Sequence, residues 1–125
     1  MISSWTDSKG SVASYILSIQ KQSIIMLVHT VFFKFKESST EADVQSCAGD
    51  ARNLLAKVET VKALYIGSPA DTEVRPVSVR DFDLGLTVLF ENISDQDVYQ
   101  VHPLHDEFIA NNKDNWSSVS VYDAD

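Results

Sequence analysis

The nine residues Leu27 to Phe35, Leu-Val-His-Thr-Val-Phe-Phe-Lys-Phe, constrain the fold more than any other stretch. β-Branched and aromatic side chains at that density favour an extended strand. Side chains alternate across a strand, so His29, Val31, Phe33 and Phe35 share one face. Val28, Thr30, Phe32 and Lys34 share the other. The first face is apolar apart from His29, which therefore sits where burial is expected. The second face is also rather apolar. A strand apolar on both sides needs cover on both.

The remaining elements follow from spacing. Thr40-Glu-Ala-Asp43 opens a helix, with Thr40 as N-cap and acidic residues in the first turn. Behind it Val44, Cys47, Ala48, Ala51, Leu54, Leu55 and Val58 recur at helical spacing. The middle of that stripe is small, which either lets the helix approach a sheet closely or leaves room for a cavity. Val61 to Gly67 reads as a second strand, ended by Gly67 and Pro69, and Ser68 to Arg80 as a polar loop. Phe82, Leu84, Leu86, Val88 and Phe90 alternate strictly and predict a third strand. Ser94-Asp-Gln-Asp97 opens a second helical region. Pro103 falls inside it, and proline is poorly tolerated in a helix interior. The reading is a short helix to about Val101 and a restart with Pro103 in its first turn. Trp116 to Tyr122 alternates and closes as a fourth strand.

The order β-α-β-β-α-β specifies an α+β, ferredoxin-like domain: a four-stranded antiparallel sheet with its helices on one face. The opposite face is left bare, with Val28, Phe32 and Leu89 on it. An exposed apolar sheet face is an interaction surface. A second copy related by a two-fold axis is its simplest cover, so a homodimer is expected.

With 125 residues, one domain is the default. We divide the chain into residues 1–25, an N-terminal extension, and residues 26–125, the domain. The extension is Ser-rich, with an amphipathic stretch from Val12 to Ile19. It reads either as a frayed end or over-long gene start, with initiation at Met26, or as an appended helix that packs on the domain or its partner. A net charge of −8 leaves no electrostatic footprint for nucleic acid and disfavours anionic membrane surfaces. No apolar run reaches the roughly 18–20 residues of a membrane-spanning helix. Met1 to Asp7 lacks Lys and Arg, so no signal peptide is expected. The single cysteine, Cys47, can form neither an internal disulfide nor a thiolate metal cluster. That fits a reducing compartment, and we expect a cytoplasmic protein.

The densest chemical signal is Tyr99-Gln-Val-His102-Pro-Leu-His105-Asp106, which holds two of the three histidines. Histidine titrates near neutrality and so can both give and take a proton. Tyr99 and His102 lie three apart. His105, Phe108 and Ile109 share a face of the restarted helix, which points His105 inward. His102, just before Pro103, also suits a helix-start residue with a purely local role. If both helices pack on the His29 face, His29 and His105 converge. No metal is expected, because His102 and His105 are separated by three positions and a proline rather than the four of a helical zinc pair. Cys47 on an apolar stripe reads as filler rather than nucleophile. Four glycines build no phosphate loop, and Arg75 and Arg80 read as solvated.

Val28-His-Thr-Val-Phe-Phe-Lys-Phe-Lys36, the strand Phe82 to Phe90, and above all Tyr99-Gln-Val-His-Pro-Leu-His105 resemble the stress-responsive A/B barrel (dimeric α/β barrel) domain. The resemblance runs from Met26 to the closing strand. It implies a ferredoxin-like monomer and a homodimer whose sheets face each other. It implies little about function, although one plant member is a polyketide cyclase that closes its substrate by aldol condensation without metal or cofactor. On that likeness His29 matches its first-strand histidine, Tyr99 its helix tyrosine, His105 its working histidine, and His102 the other histidine of the block. This chain departs from it in having Leu84 in place of a third-strand histidine. It also has Cys47, Ala48 and Ala51 where that member has aromatics lining an alkyl pocket. The pocket should therefore differ in shape and polarity.

These residues lead to two expectations. The first is a cofactor-free small-molecule pocket, with His105, Tyr99 and His29 as acid–base groups and His102, Leu84, Cys47, Ala48 and Ala51 along its walls. Its chemistry would be of the lyase, cyclase or isomerase type. The second is a non-enzymatic, stress-related dimeric module or small-ligand binder with structural histidines. A monooxygenase of the related quinol-oxidising barrels has no motif to single it out.

Overall fold

The computed structural model describes residues 27–125. The expectations for residues 1–25 lie outside the described residues. Four strands form one antiparallel sheet in the order β2-β3-β1-β4. They are β1 (Leu27–Phe35), β2 (Ala63–Gly67), β3 (Leu84–Phe90) and β4 (Trp116–Ala124). Among the described residues three α-helices accompany them: α1 (Glu41–Asn53), α2 (Ile93–Gln100) and α3 (Pro103–Asn112). This is the α+β arrangement anticipated from the element order.

The alternation in β1 settles which face is which. Leu27, His29, Val31, Phe33 and Phe35 are buried beneath the helices, as are Leu84, Leu86, Val88 and Phe90 of β3. The small stripe Cys47, Ala48 and Ala51 of α1 joins this core, with Leu55, Val58, Tyr99 and Phe108. Val28, Thr30, Phe32, Tyr65, Thr87 and Leu89 stand on the opposite face. There Phe32 packs edge-on against Phe82, with ring centroids 4.9 Å apart. Gly85, opposite Phe32 in the ladder, makes that possible: a Cβ at this position would meet the Phe32 ring at 3.3 Å.

The helix starts behave as their residues require. Thr40 and Asp43 form a reciprocal capping box at α1. The break at Pro103 is present, with α2 ending at Gln100 and α3 opening on Pro103.

Several limits differ from the periodicity. The α1 stripe does not continue as one helix to Val58; it gives way at Leu54 to a 3-10 turn, Leu55–Lys57. The second strand starts at Ala63, because the Val61 amide is spent closing a turn on the Val58 carbonyl. The third begins at Leu84: Asp83 bonds the Phe33 carbonyl through its amide, while its carboxylate accepts the Phe35 amide. The second helical region opens on Asn92, whose side chain accepts the Asp95 amide, ahead of Ser94. The last strand runs on to Ala124.

Candidate functional site

The site is built where β1, α2, α3 and the end of β4 meet. His29 enters it because its position in β1 faces the helices; it is 3% exposed. Tyr99 enters from the last turn of α2 and is 1% exposed. His105, one turn into α3, is half-buried. The Tyr99 ring lies edge-on to both histidines, with centroids 5.9 Å from His29 and 4.8 Å from His105. Phe90 closes the far side, 5.0 Å from Tyr99 and 6.3 Å from His29. Three groups expected to converge from separate elements therefore form one contiguous cluster.

Two residues that were not foreseen complete it. Asp123 of β4 lies opposite His29 in the ladder, with its Oδ1 2.5 Å from His29 Nδ1. A carboxylate can only accept, so the imidazole donates through Nδ1 and keeps Nε2 as its proton acceptor when neutral. Gln96 of α2 places its amide nitrogen 3.0 Å from His29 Nδ1 and 3.3 Å from the same Asp123 oxygen. Since Nδ1 already carries a hydrogen, the Gln96 amide serves the carboxylate. An aspartate on the alternating face of the last strand was the available signal, but its pairing depends on a register that shifts at Lys34/Phe35.

Burial sets the protonation of the cluster. Desolvation holds His105 below the ordinary imidazole value; His29 nearby adds to this, while Asp106 opposes it. The ring is then neutral near pH 7 and can accept a proton. Desolvation pushes the Tyr99 hydroxyl above its ordinary range, so it keeps its proton and can donate a hydrogen bond.

The other expected residues fall nearby with different surroundings. His102 is the N-cap of α3: its Nδ1 accepts the Leu104 amide at 3.0 Å, and its Nε2 lies 3.4 Å from Glu59 Oε2. Both ring nitrogens are thus engaged locally. Leu84 of β3 and Cys47, Ala48 and Ala51 of α1 are all buried in the hydrophobic core. Burial pushes the Cys47 thiol up to about 11, far from the thiolate a nucleophile needs. Among the described residues no group of three His, Cys, Asp or Glu side chains is placed to hold a metal ion. No helix of the described residues is long and apolar enough to cross a membrane.

No curated protein matches this chain. Solved structures do, at the level of fold. A dimeric ferredoxin-like protein from Thermobifida fusca is 15% identical, with a TM-score of 0.67 over 80% of this chain and 90% of its own. A protein from Arabidopsis thaliana is 21% identical, with a TM-score of 0.67 over 79% and 93%. A hydroxynitrile lyase from Passiflora edulis is 17% identical, with a TM-score of 0.64 over 78% and 89%. The sequence profile described as the stress responsive A/B barrel domain matches residues 27–125.

Proposed function

The chain belongs to the stress responsive A/B barrel domain family, and on that premise we propose that it is a homodimer with a histidine- and tyrosine-bordered small-molecule site that carries out cofactor-free acid–base chemistry on a carbonyl compound. The observation that carries this reading is the position of Tyr99 between His29 and His105, with His29 held by Asp123.

In this mechanism His105 takes a proton from a C–H or O–H made acidic by a neighbouring carbonyl or developing carbonyl. It is suited to that because it is held neutral. The protonated Tyr99 hydroxyl gives a hydrogen bond to the oxygen on which charge develops, and a preorganised donor in a water-poor setting is worth more than one in water. His29, its tautomer set by Asp123, holds the other side of Tyr99. His105 then returns the proton, so the step balances without an external oxidant or reductant. Leu84, Cys47, Ala48 and Ala51 are assigned the apolar wall. His102 flanks the group and reaches a ligand by exchanging its Glu59 contact. A neighbour in fold that is a hydroxynitrile lyase supports the lyase-type reading.

The bare sheet face supports the dimer. Val28, Phe32, Tyr65 and Leu89 give it an apolar surface. Hollows of about 380 and 370 Å³ beside Phe32 and Phe82 would receive side chains of a second copy. Similar structures are described as dimeric. A buried thiol kept as a free cysteine supports a cytoplasmic setting.

A second reading is favoured by one observation: His29 and Tyr99 are almost wholly buried, as in a structural core. It makes the protein a non-enzymatic module or ligand binder. A thermal-shift screen of the wild type and His105→Gln against β-keto acids, phenolics and quinones decides between them. A ligand that binds only the native state raises its apparent stability. A hit that His105→Gln loses, followed by turnover, supports the enzyme. Retention of every hit by His105→Gln, or no hits at all, would sink it and leave the module.

A further inference from the structure

Val119 and Val121 of β4 lie opposite Phe33 and Val31, on the helix side of the sheet. That face is buried throughout β1 and β3, yet these two valines are 43% and 52% exposed. Among the described residues β4 packs chiefly against β1, while α1 lies over β2 and α2 over β3. The result, among the described residues, is a strip of apolar sheet without cover, bounded at one end by Trp116 and at the other by Asp123.

We propose that the chain's own residues 12–19 dock on this strip as an amphipathic helix. Four observations point to that occupant. Val12, Tyr15, Ile16 and Ile19 stand at i, i+3, i+4 and i+7, one apolar stripe with no Gly or Pro inside it. The segment also joins the domain in the right place. It enters at Leu27, and Val28 and His29 lie opposite Ala124 and Asp123, so the chain arrives at the Asp123 end of the strip. The lengths agree: an eight-residue helix is about 12 Å long, and Val119 to Asp123 spans about 14 Å of strand. Residues 20–26 can reach at most about 24 Å, enough for the chain to double back over β4. Charge agrees as well. Residues 1–26 carry Lys9 and Lys21 against Asp7, whereas β4 leads into Asp123 and Asp125, beside which the Lys21 connector must pass.

The competing occupants are a second copy of the domain and a neighbouring chain's segment. The full-length chain tests all three, with Cys47→Ala to remove the native thiol and Ser18→Cys to carry a nitroxide. Amide signals of β4 are then compared with the nitroxide oxidised and reduced. In tagged, isotope-labelled chains diluted into excess plain chain, the Val119, Ser120 and Val121 amides should lose at least half their intensity. Ala63 to Gly67 on the far edge, about 14 Å further across the sheet, should lose much less. Adding Ile16→Asp and Ile19→Asp should restore the β4 signals. Broadening only when the tag and the isotope are on different chains would assign the strip to a neighbour's segment and overturn the proposal. Unbroadened β4 signals in both mixtures, or broadening that survives the double aspartate change, would overturn it too.

Discussion

Asp123 faces His29 across the β1–β4 ladder, its Oδ1 accepting a hydrogen bond from His29 Nδ1 at 2.5 Å and joining residues 94 apart in the chain. The last strand therefore does more than extend the sheet. By fixing one imidazole tautomer it decides which nitrogen faces the rest of the cluster, and Gln96 ties that same carboxylate to α2. The chemistry of the site thus rests on the pairing of an edge strand.

Replacing Asp123 with asparagine tests this. The substitution keeps the shape and removes the charge that holds the Nδ1 hydrogen. A hydrogen bond to a charged group is worth about 1.5–3 kcal/mol, and solvent screening at a half-exposed carboxylate reduces this to about 1–2 kcal/mol. Asp123→Asn should lower urea stability by that amount and shift the His29 ring-nitrogen resonances towards the other tautomer. Unchanged ring-nitrogen shifts would mean that Asp123 does not set the tautomer.

A second prediction concerns pH. Burial lowers the His105 pKa in the folded protein below its ordinary value of 6.5, so the unfolded chain binds the proton first. Unfolded chains then hold more protons than folded ones as pH falls through that range. His105 favours folding fully above about pH 6.5, and its contribution is lost as pH falls towards its folded value. Denaturation midpoints should decline between pH 7 and 5, and His105→Gln should flatten the slope. If the variant and wild type decline in parallel, His105 is not the group responsible.

The fold was legible because its strongest signals are local. Alternation in Leu27–Phe35 and Leu84–Phe90 reflects burial on a sheet, and Thr40 and Pro103 mark helix starts through chemistry that acts within four residues. The approach of His29 and His105 followed from the faces they occupy, whereas the spacing of Tyr99 pointed to His102 rather than to His29. Asp123 was not legible, because its partner is set by tertiary register across a shifted ladder. The early end of α1 and the late starts of β2 and β3 were hidden for a related reason. Each depends on where a particular amide finds its acceptor, as Val61 does at Val58 and Asp83 at Phe33.

The bare sheet face makes a third prediction. Val28 and Tyr65 project from it, and Tyr65 is 65% exposed. Lysine at both positions would place two charges where a second copy is proposed to pack, and a buried unpaired charge is costly. The double variant Val28→Lys/Tyr65→Lys should sediment as a monomer at concentrations where the wild type sediments as a dimer, with its far-ultraviolet circular dichroism unchanged. A variant that stays dimeric would show that the copies pair through another surface.

His102 separates a capping role from a ligand role. Its Nδ1 accepts the Leu104 amide, one of the four amides that a helix start leaves without an intrahelical partner. Alanine removes that acceptor, and losing a cap of this kind costs about 1 kcal/mol. Asparagine has a side-chain oxygen in range of the same amide, although it cannot reach Glu59 as the imidazole Nε2 does. His102→Ala should therefore lower the unfolding free energy by about 1 kcal/mol, and His102→Asn should recover most of the loss. If both variants keep full stability yet lose the thermal shift given by a ligand, His102 acts in binding. If asparagine restores stability and ligand response together, the residue's task is to start α3 and so to aim His105 at Tyr99.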